Sequence, residues 1–239
     1  MTYMTKKRVK NAAYVLYVTK EFLQKKYPTK GKSINCSDVI LNNIDEVAFH
    51  SKEEKIFKQE EKKVKVITTT AAVNVRYKGQ QYVIKALYKL KKRGKLFKYW
   101  IIGGGDNHYL KNLVKKYRLE KQVQFIGSLP HEKVFEKLEE TDIYIQPSKQ
   151  EGLPRALIEA MSRGCLCIGA KTGGIPELLE KSFVFPKGNV KTLKDILEKV
   201  NKEQILEQMK RNFEESKKYD KDILQDRRNN FYKDFANKK

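Results

Sequence analysis

The stretch Glu151-Gly152-Leu153-Pro154-Arg155-Ala156-Leu157-Ile158-Glu159 follows the run Asp142 to Ser148, D-I-Y-I-Q-P-S, and leads into Ala160-Met161-Ser162-Arg163-Gly164. Ile143 to Gln146 favours a β-strand and Pro147 ends it. Pro154 stands where a helix begins, its fixed φ and missing N–H suiting the first helical position. The pattern predicts strand, loop and helix. Glu151 falls in the loop and Glu159 about a turn and a half into the helix, so both carboxylates can face a ligand resting on the helix N-terminus. The backbone N–H groups of Arg155, Ala156 and Leu157, with no intrahelical acceptor, point to the same spot and favour an anionic group such as a diphosphate. Amides for a diphosphate with hydroxyl-seeking carboxylates beside them suit a sugar nucleotide. The plain alternative is an amphipathic helix with two solvated Glu side chains.

Outward from this stretch the chain alternates regularly. Strands are expected at Val64 to Thr69, Phe97 to Ile102, Val123 to Ile126, Asp142 to Gln146 and Cys165 to Gly169. Helices are expected at Gly79 to Arg93, His108 to Tyr117, His131 to Glu139 and Pro154 to Arg163. In the first helix Tyr82, Val83, Ala86, Leu87 and Leu90 keep the i, i+3, i+4 spacing of a buried face. Strand and helix in alternation imply right-handed βαβ units and an α/β fold, a Rossmann-like parallel sheet with helices on both faces. Ligands of such sheets bind beyond the carboxyl ends of the strands, where the motifs at 103–106, 147–159 and 172–177 all fall.

The first sixty residues are less regular. Tyr14 to Thr19 reads as a strand and Glu21 to Lys26 as a short helix, followed by a polar loop from Thr29 to Ser33. Ile34 to Val47 has no clear period, and residues 50–65 read as a charged helix or linker with few core-facing positions. The last sixty residues are helical and charged, with Leu193, Ile196, Leu197 and Val200 on one stripe and Ile205, Met209 and Phe213 on another.

The combined pattern P-S-x-x-E-G-x-P-x-x-x-x-E-A-M-x-x-G, followed by Thr172-Gly173-Gly174-Ile175-Pro176-Glu177, resembles the donor-binding region of GT-B glycosyltransferases of family 4. The likeness covers roughly residues 64–239. It implies that Glu151 contacts the transferred sugar, as a catalytic residue, and that Glu159 binds the nucleotide ribose. Gly152, Leu153, Pro154, Arg155 and Ala156 would line the phosphates. Tyr77-Lys78-Gly79 stands where the family has a Lys-Gly pair, so Lys78 is a second catalytic and donor-binding candidate, a point charge for the leaving diphosphate. The family's usual Arg six residues earlier is replaced by Ala72, which leaves Arg76 or Arg155 as substitutes. Gly104, in the turn Gly103-Gly104-Gly105, would let the backbone approach the nucleotide. A dinucleotide fingerprint is excluded there, because His108 stands where its third glycine belongs.

The resemblance implies a retaining transfer of a hexose from a UDP- or GDP-sugar to a cell-surface polysaccharide or lipid-linked saccharide, with no cofactor and no metal requirement. Asp220-Lys221-Asp222 matches the D-x-D metal motif of the other major glycosyltransferase fold, but it lies in a charged helical tail. Residues 1–60 are expected to be a residual acceptor-side segment and linker, 61–239 the donor-binding domain, and Ile223 to Phe235 the helix that crosses back between them. A rival reading is a nucleotide-sugar-binding subunit that needs a separate acceptor domain.

Composition limits the remaining choices. The chain has 239 residues and a formal net charge of +22, of which residues 1–100, with 24 basic and 8 acidic side chains, carry +16. Such a surface suits an anionic partner, and an acidic membrane surface fits better than nucleic acid, since the lysines are dispersed and no aromatic-interleaved recognition motif is present. With no apolar run of membrane-spanning length and no signal sequence, the expected location is cytoplasmic or peripheral at the inner face of the plasma membrane. Cys36, Cys165 and Cys167 are expected to be reduced core residues, and His50, His108 and His131 are too scattered for a metal site.

Overall fold

The computed structural model of the protein describes residues 2–42, 44–58, 60 and 64–237. The linker expected around residue 60 lies largely outside the described residues.

The chain opens with helix α1 (Thr2–Asn11), strand β1 (Tyr14–Tyr17), helix α2 (Phe22–Lys26) and strand β2 (Lys32–Asn35). β1 and β2 form a separate two-stranded parallel sheet, Tyr14 opposite Lys32. A strand at 32–35 replaces the expected polar loop and the run without a period. In Lys-Ser-Ile-Asn only Ile34 is apolar, so the strand is specified by pairing with β1 and not by its own pattern.

Helix α3 (Glu46–Lys58) settles the helix-or-linker alternative for residues 50–58 in favour of a helix, with Phe49, Lys52 and Ile56 buried. The Lys52 ammonium donates to the carbonyls of Leu138 (3.0 Å) and Arg163 (2.8 Å), so a charged residue serves as an internal tie. A buried ammonium is tolerated where hydrogen bonds replace its water.

Then come β3 (Lys65–Thr70), α4 (Gln80–Lys91), β4 (Phe97–Ile102), α5 (His108–Lys116), β5 (Val123–Gly127), α6 (His131–Glu139), β6 (Ile143–Gln146), α7 (Arg155–Ser162) and β7 (Leu166–Ala170). They match the expected alternation to within a residue or two. The short α8 (Ile175–Leu178) and β8 (Val184–Phe185) follow, then α9 (Val190–Lys199), α10 (Lys202–Lys217) and α11 (Lys221–Ala236). The large sheet has six parallel strands in the order β5-β4-β3-β6-β7-β8. Every residue of β6 and β7 is buried, as expected of central strands covered by helices on both faces. The α/β Rossmann-like class expected from the alternation is the one observed.

The strand order reverses between β3 and β6. In an open parallel sheet that reversal splays the two following connections apart and leaves a crevice at the carboxyl ends. α3 and α10 brace the sheet from below, Phe49 stacking on Phe213 with ring centroids 4.1 Å apart and Asn212 Nδ2 donating to Cys165 O at 2.9 Å. Helix α11 leaves the large unit and lies on the small sheet. Tyr14 meets Phe231 and Phe235 edge-on at 5.3 and 5.2 Å, Lys32 pairs with Asp234 at 2.8 Å, and Arg228 donates to Ser37 O. Asp220, first residue of the D-x-D triplet, caps α11 by accepting from the Asp222 N–H at 2.9 Å. The three cysteines are buried and unbonded to one another.

Candidate functional site

Two connections meet at the reversal. β3 runs on into a single 3-10 turn, Arg76–Lys78, closed by Gly79, while β6 runs on into residues 147–154. Gly79 has φ +86°, and a Cβ there would sit 2.1 Å from the Pro147 carbonyl oxygen. Only glycine lets the first connection pass so close to the second. Lys149 N donates to Tyr77 O at 2.7 Å and Ser148 Oγ to Lys78 O at 3.4 Å, which fixes the crossing. Lys78 Nζ is thereby brought 2.9 Å from Glu151 Oε1, across 73 residues of sequence. The two sequence-predicted catalytic candidates form an ion pair with side-chain exposures of 24% and 11%, sheltered enough that their attraction exceeds that of a surface pair.

Glu151 is also held from beneath. Thr70 Oγ1 donates to Tyr144 OH (2.9 Å), Tyr144 OH to Gln146 Oε1 (2.8 Å), and Gln146 Nε2 to Ser148 Oγ (2.9 Å) and Glu151 Oε1 (3.2 Å). The Glu151 carboxylate, which can only accept, fixes which end of the Gln146 amide is nitrogen. Burial pushes the Tyr144 phenol well above its ordinary value, so it stays a donor. Lys78 and Gln146 both occupy Oε1 of Glu151, so Oε2 has no protein partner among the described residues. Gln146 and Tyr144 escape a sequence reading because a buried β-strand hides a polar network among apolar neighbours. The only sign is a Gln in an otherwise apolar run.

Glu159 is buried on α7, and His131 Nε2, at the first position of α6, donates to its Oε1 at 3.0 Å. His131 enters the site as a partner of the predicted ribose-binding carboxylate, a role that nothing in G-S-L-P-H announces. The helix start needs two corrections. Pro154 is the N-cap and not the first helical residue, with ψ 114°, and the Leu157 N–H donates to Pro154 O at 3.2 Å. The first turn has closed tightly, so the amides left for an anion are those of Arg155 and Ala156, and Leu157 drops out.

Gly152 and Leu153 are positioned from the other side by the T-G-G-I-P-E segment. Gly174 N donates to Gly152 O at 2.6 Å, and Gly173, at φ +56°, passes so close that a Cβ would meet Glu151 O at 2.4 Å. Glu177 of the same segment accepts the backbone N–H groups of Lys20, Glu21 and Phe22 at 2.6, 3.2 and 2.6 Å. It caps α2 from another part of the chain and so ties the small sheet's connection to the loop carrying Glu151. Gly104 lies across the crevice, its carbonyl accepting from Val73 N at 3.0 Å. Of the two substitutes for the missing cation at Ala72, Arg76 lies over the Tyr109 ring at 4.4 Å, and Arg155 is exposed at the first turn of α7.

Residues 51–219 match the family described as glycosyl transferases group 1. The chain is 32% identical over 218 residues to Protein CapJ of Staphylococcus aureus, covering 89% of this chain and 54% of CapJ. It is 37% identical over 130 residues to the amylovoran biosynthesis glycosyltransferase AmsK of Erwinia amylovora, covering 50% of this chain and 32% of AmsK. Among solved structures, Anabaena HepE in complex with UDP and glucose superposes with a TM-score of 0.75 at 18% identity, covering 96% of this chain and 65% of HepE. The fold is that of GT-B enzymes, and the chain spans about half the length of CapJ. With the 147–159 motif and the crevice both inside the matched region, the chain belongs to the glycosyl transferases group 1 family.

Proposed function

We propose that the chain is the donor-binding part of a retaining glycosyltransferase that moves a hexose from a nucleoside-diphosphate sugar to a cell-surface polysaccharide or lipid-linked saccharide. The observation that carries this reading is the Lys78–Glu151 pair at the strand-order reversal, with one Glu151 oxygen fixed by protein donors and the other without a protein partner. That oxygen would accept from a hydroxyl of the transferred sugar. Lys78 and the Arg155 and Ala156 amides would meet the leaving diphosphate, whose charge grows as the glycosidic bond breaks and whose stabilisation therefore lowers the barrier. Glu159, oriented by His131, would accept from the ribose hydroxyls. HepE, named as a complex with UDP and glucose, and AmsK, named for amylovoran biosynthesis, support the donor and acceptor classes.

Residues 1–42 would be the acceptor-side segment. On its contacts α3 goes with the donor unit, which moves the proposed boundary forward from residue 60. A chain spanning half of CapJ also fits a second reading, a nucleotide-sugar-binding subunit completed by a separate acceptor domain. No helix among the described residues is long and apolar enough to cross a membrane.

Calorimetry with UDP-, GDP- and ADP-sugars is expected to give one clear preference. Glu159→Ala should weaken nucleotide and nucleotide sugar alike, whereas Glu151→Ala should matter only with the sugar present, each loss being about 1.5–3 kcal/mol for a charged hydrogen bond. Failure to bind any of these nucleotides would defeat the reading.

A further inference from the structure

A cavity of about 280 Å³ opens at the carboxyl ends of β1 and β2, on the small sheet and away from the Lys78–Glu151 pair. Its walls carry Lys20, Lys218 and Arg227, with Asn35, Ser37 and Tyr219 between them. Three cations converge from three places: the β1–α2 connection, the end of α10 and the middle of α11. Lys218 is paired with Glu215 at 2.5 Å, but among the described residues neither Lys20 nor Arg227 has a carboxylate partner. Glu177 stands nearby and keeps its charge, but its carboxylate oxygens are held by the N–H groups of Lys20, Glu21 and Phe22, so three cations face two carboxylates, Glu177 and Glu215. Tyr219 is 7% exposed and burial pushes its phenol up to about 12, so it remains a neutral donor. A concave, hydrogen-bonding wall with an excess of positive charge, beyond the carboxyl ends of parallel strands, suits an anion of phosphate chemistry.

We propose that this cavity binds a phosphoryl group of the acceptor, the phosphate or diphosphate ester through which a saccharide is joined to its carrier. Assignment to the acceptor rests on the glycosyltransferase reading above; the anion site itself does not. The cavity communicates with the Glu151 loop through a short path of hydrogen bonds. Lys20 lines it, the Lys20 N–H is held by Glu177, and Gly174, in the same segment as Glu177, donates to Gly152 beside Glu151. An anion drawn to Lys20 therefore acts on the segment that positions the donor carboxylate.

The test is calorimetry of the full chain with inorganic pyrophosphate while UDP saturates the donor loop. Pyrophosphate should still bind, and Lys20→Gln combined with Arg227→Gln should weaken it about tenfold or more, the loss of at least one charged hydrogen bond. Lys20→Arg with Arg227→Lys should retain it. Both side chains are exposed, so an unchanged melting temperature and unchanged UDP affinity are expected of the Gln pair. Pyrophosphate displaced by UDP, or bound equally by the Gln pair and the parent chain, overturns the proposal. UDP that fails to bind, with pyrophosphate binding still dependent on Lys20 and Arg227, sinks the donor reading and leaves the anion site standing. The source of the phosphate is read from vesicles of phosphatidylcholine carrying phosphatidic acid or an equal charge of phosphatidylserine. Recruitment by phosphatidic acid that is lost in the Gln pair assigns a lipid phosphate; pyrophosphate binding without it assigns a soluble phosphate ester.

Discussion

At the scale of single residues, the site depends on how Glu151 is aimed. Its Oε1 accepts from a lysine and an amide whose own orientation is set by Tyr144 and Thr70, so the carboxylate is fixed before any ligand arrives. Preorganisation of this kind spares the ordering cost when a ligand binds. Gln146→Leu keeps the buried volume but removes the amide and leaves the Tyr144 hydroxyl without its acceptor, a stability cost of about 1–3 kcal/mol. The expected outcome is a chain that melts lower, binds UDP with nearly parent affinity, and loses much of the extra affinity for the UDP-sugar. Paired titrations with the two ligands measure this. Equal losses for both would mean that Gln146 supports the fold and not the aim of Glu151.

At the scale of elements, the revealing contact is between α2 and the segment before α8. A five-residue helix is too short to be stable alone. It persists here because its first N–H groups find side-chain acceptors: Glu177, 155 residues away, accepts from Phe22 and from Lys20 and Glu21 just before it, and Thr19 Oγ1 accepts from Leu23 at 2.8 Å. A carboxylate at that end also meets the positive end of the helix dipole. Glu177→Ala should therefore speed hydrogen exchange at the amides of Lys20, Glu21 and Phe22, by tenfold or more if one charged bond of about 1.5–3 kcal/mol is lost. Exchange in α4, on the far side of the donor unit, should not change. Protection at the three amides that survives the substitution would show that the Thr19 cap and packing hold α2 without Glu177.

For the whole molecule, charge is the dominant property. Helix α1 exposes Lys6, Lys7, Arg8 and Lys10 together with Tyr3 and Met4, which are 79% and 63% exposed. A basic helix with bare apolar side chains suits the surface of an acidic bilayer, where each lysine near the lipid contributes about 1 kcal/mol. The chain is expected to sediment with anionic vesicles at low salt, to come off as salt shortens the Debye length, and to ignore neutral vesicles. Replacing Lys6, Lys7, Arg8 and Lys10 with Gln should release it. Sedimentation unaffected by both the substitutions and high salt would leave the charge as surface composition.

The sequence by itself determined the α/β alternation, because helical and strand periods are local and each βαβ unit carries its own apolar pattern. Lys78, Glu151 and Glu159 stand out through the resemblance of the combined motif to a known family, the spacing of the two carboxylates being weak by itself. Tertiary structure decided what those residues do to one another. The Lys78–Glu151 pair exists because Gly79 lets one connection pass under Pro147, a closeness set by strand order. Leu157 left the anion-facing amides because the first turn of α7 tightened onto Pro154. His131, Gln146, Lys52 and Glu177 were silent in the sequence for one physical reason. Each acts through a partner that only the packing of distant segments brings within hydrogen-bonding distance, and no local period or spacing encodes such a meeting.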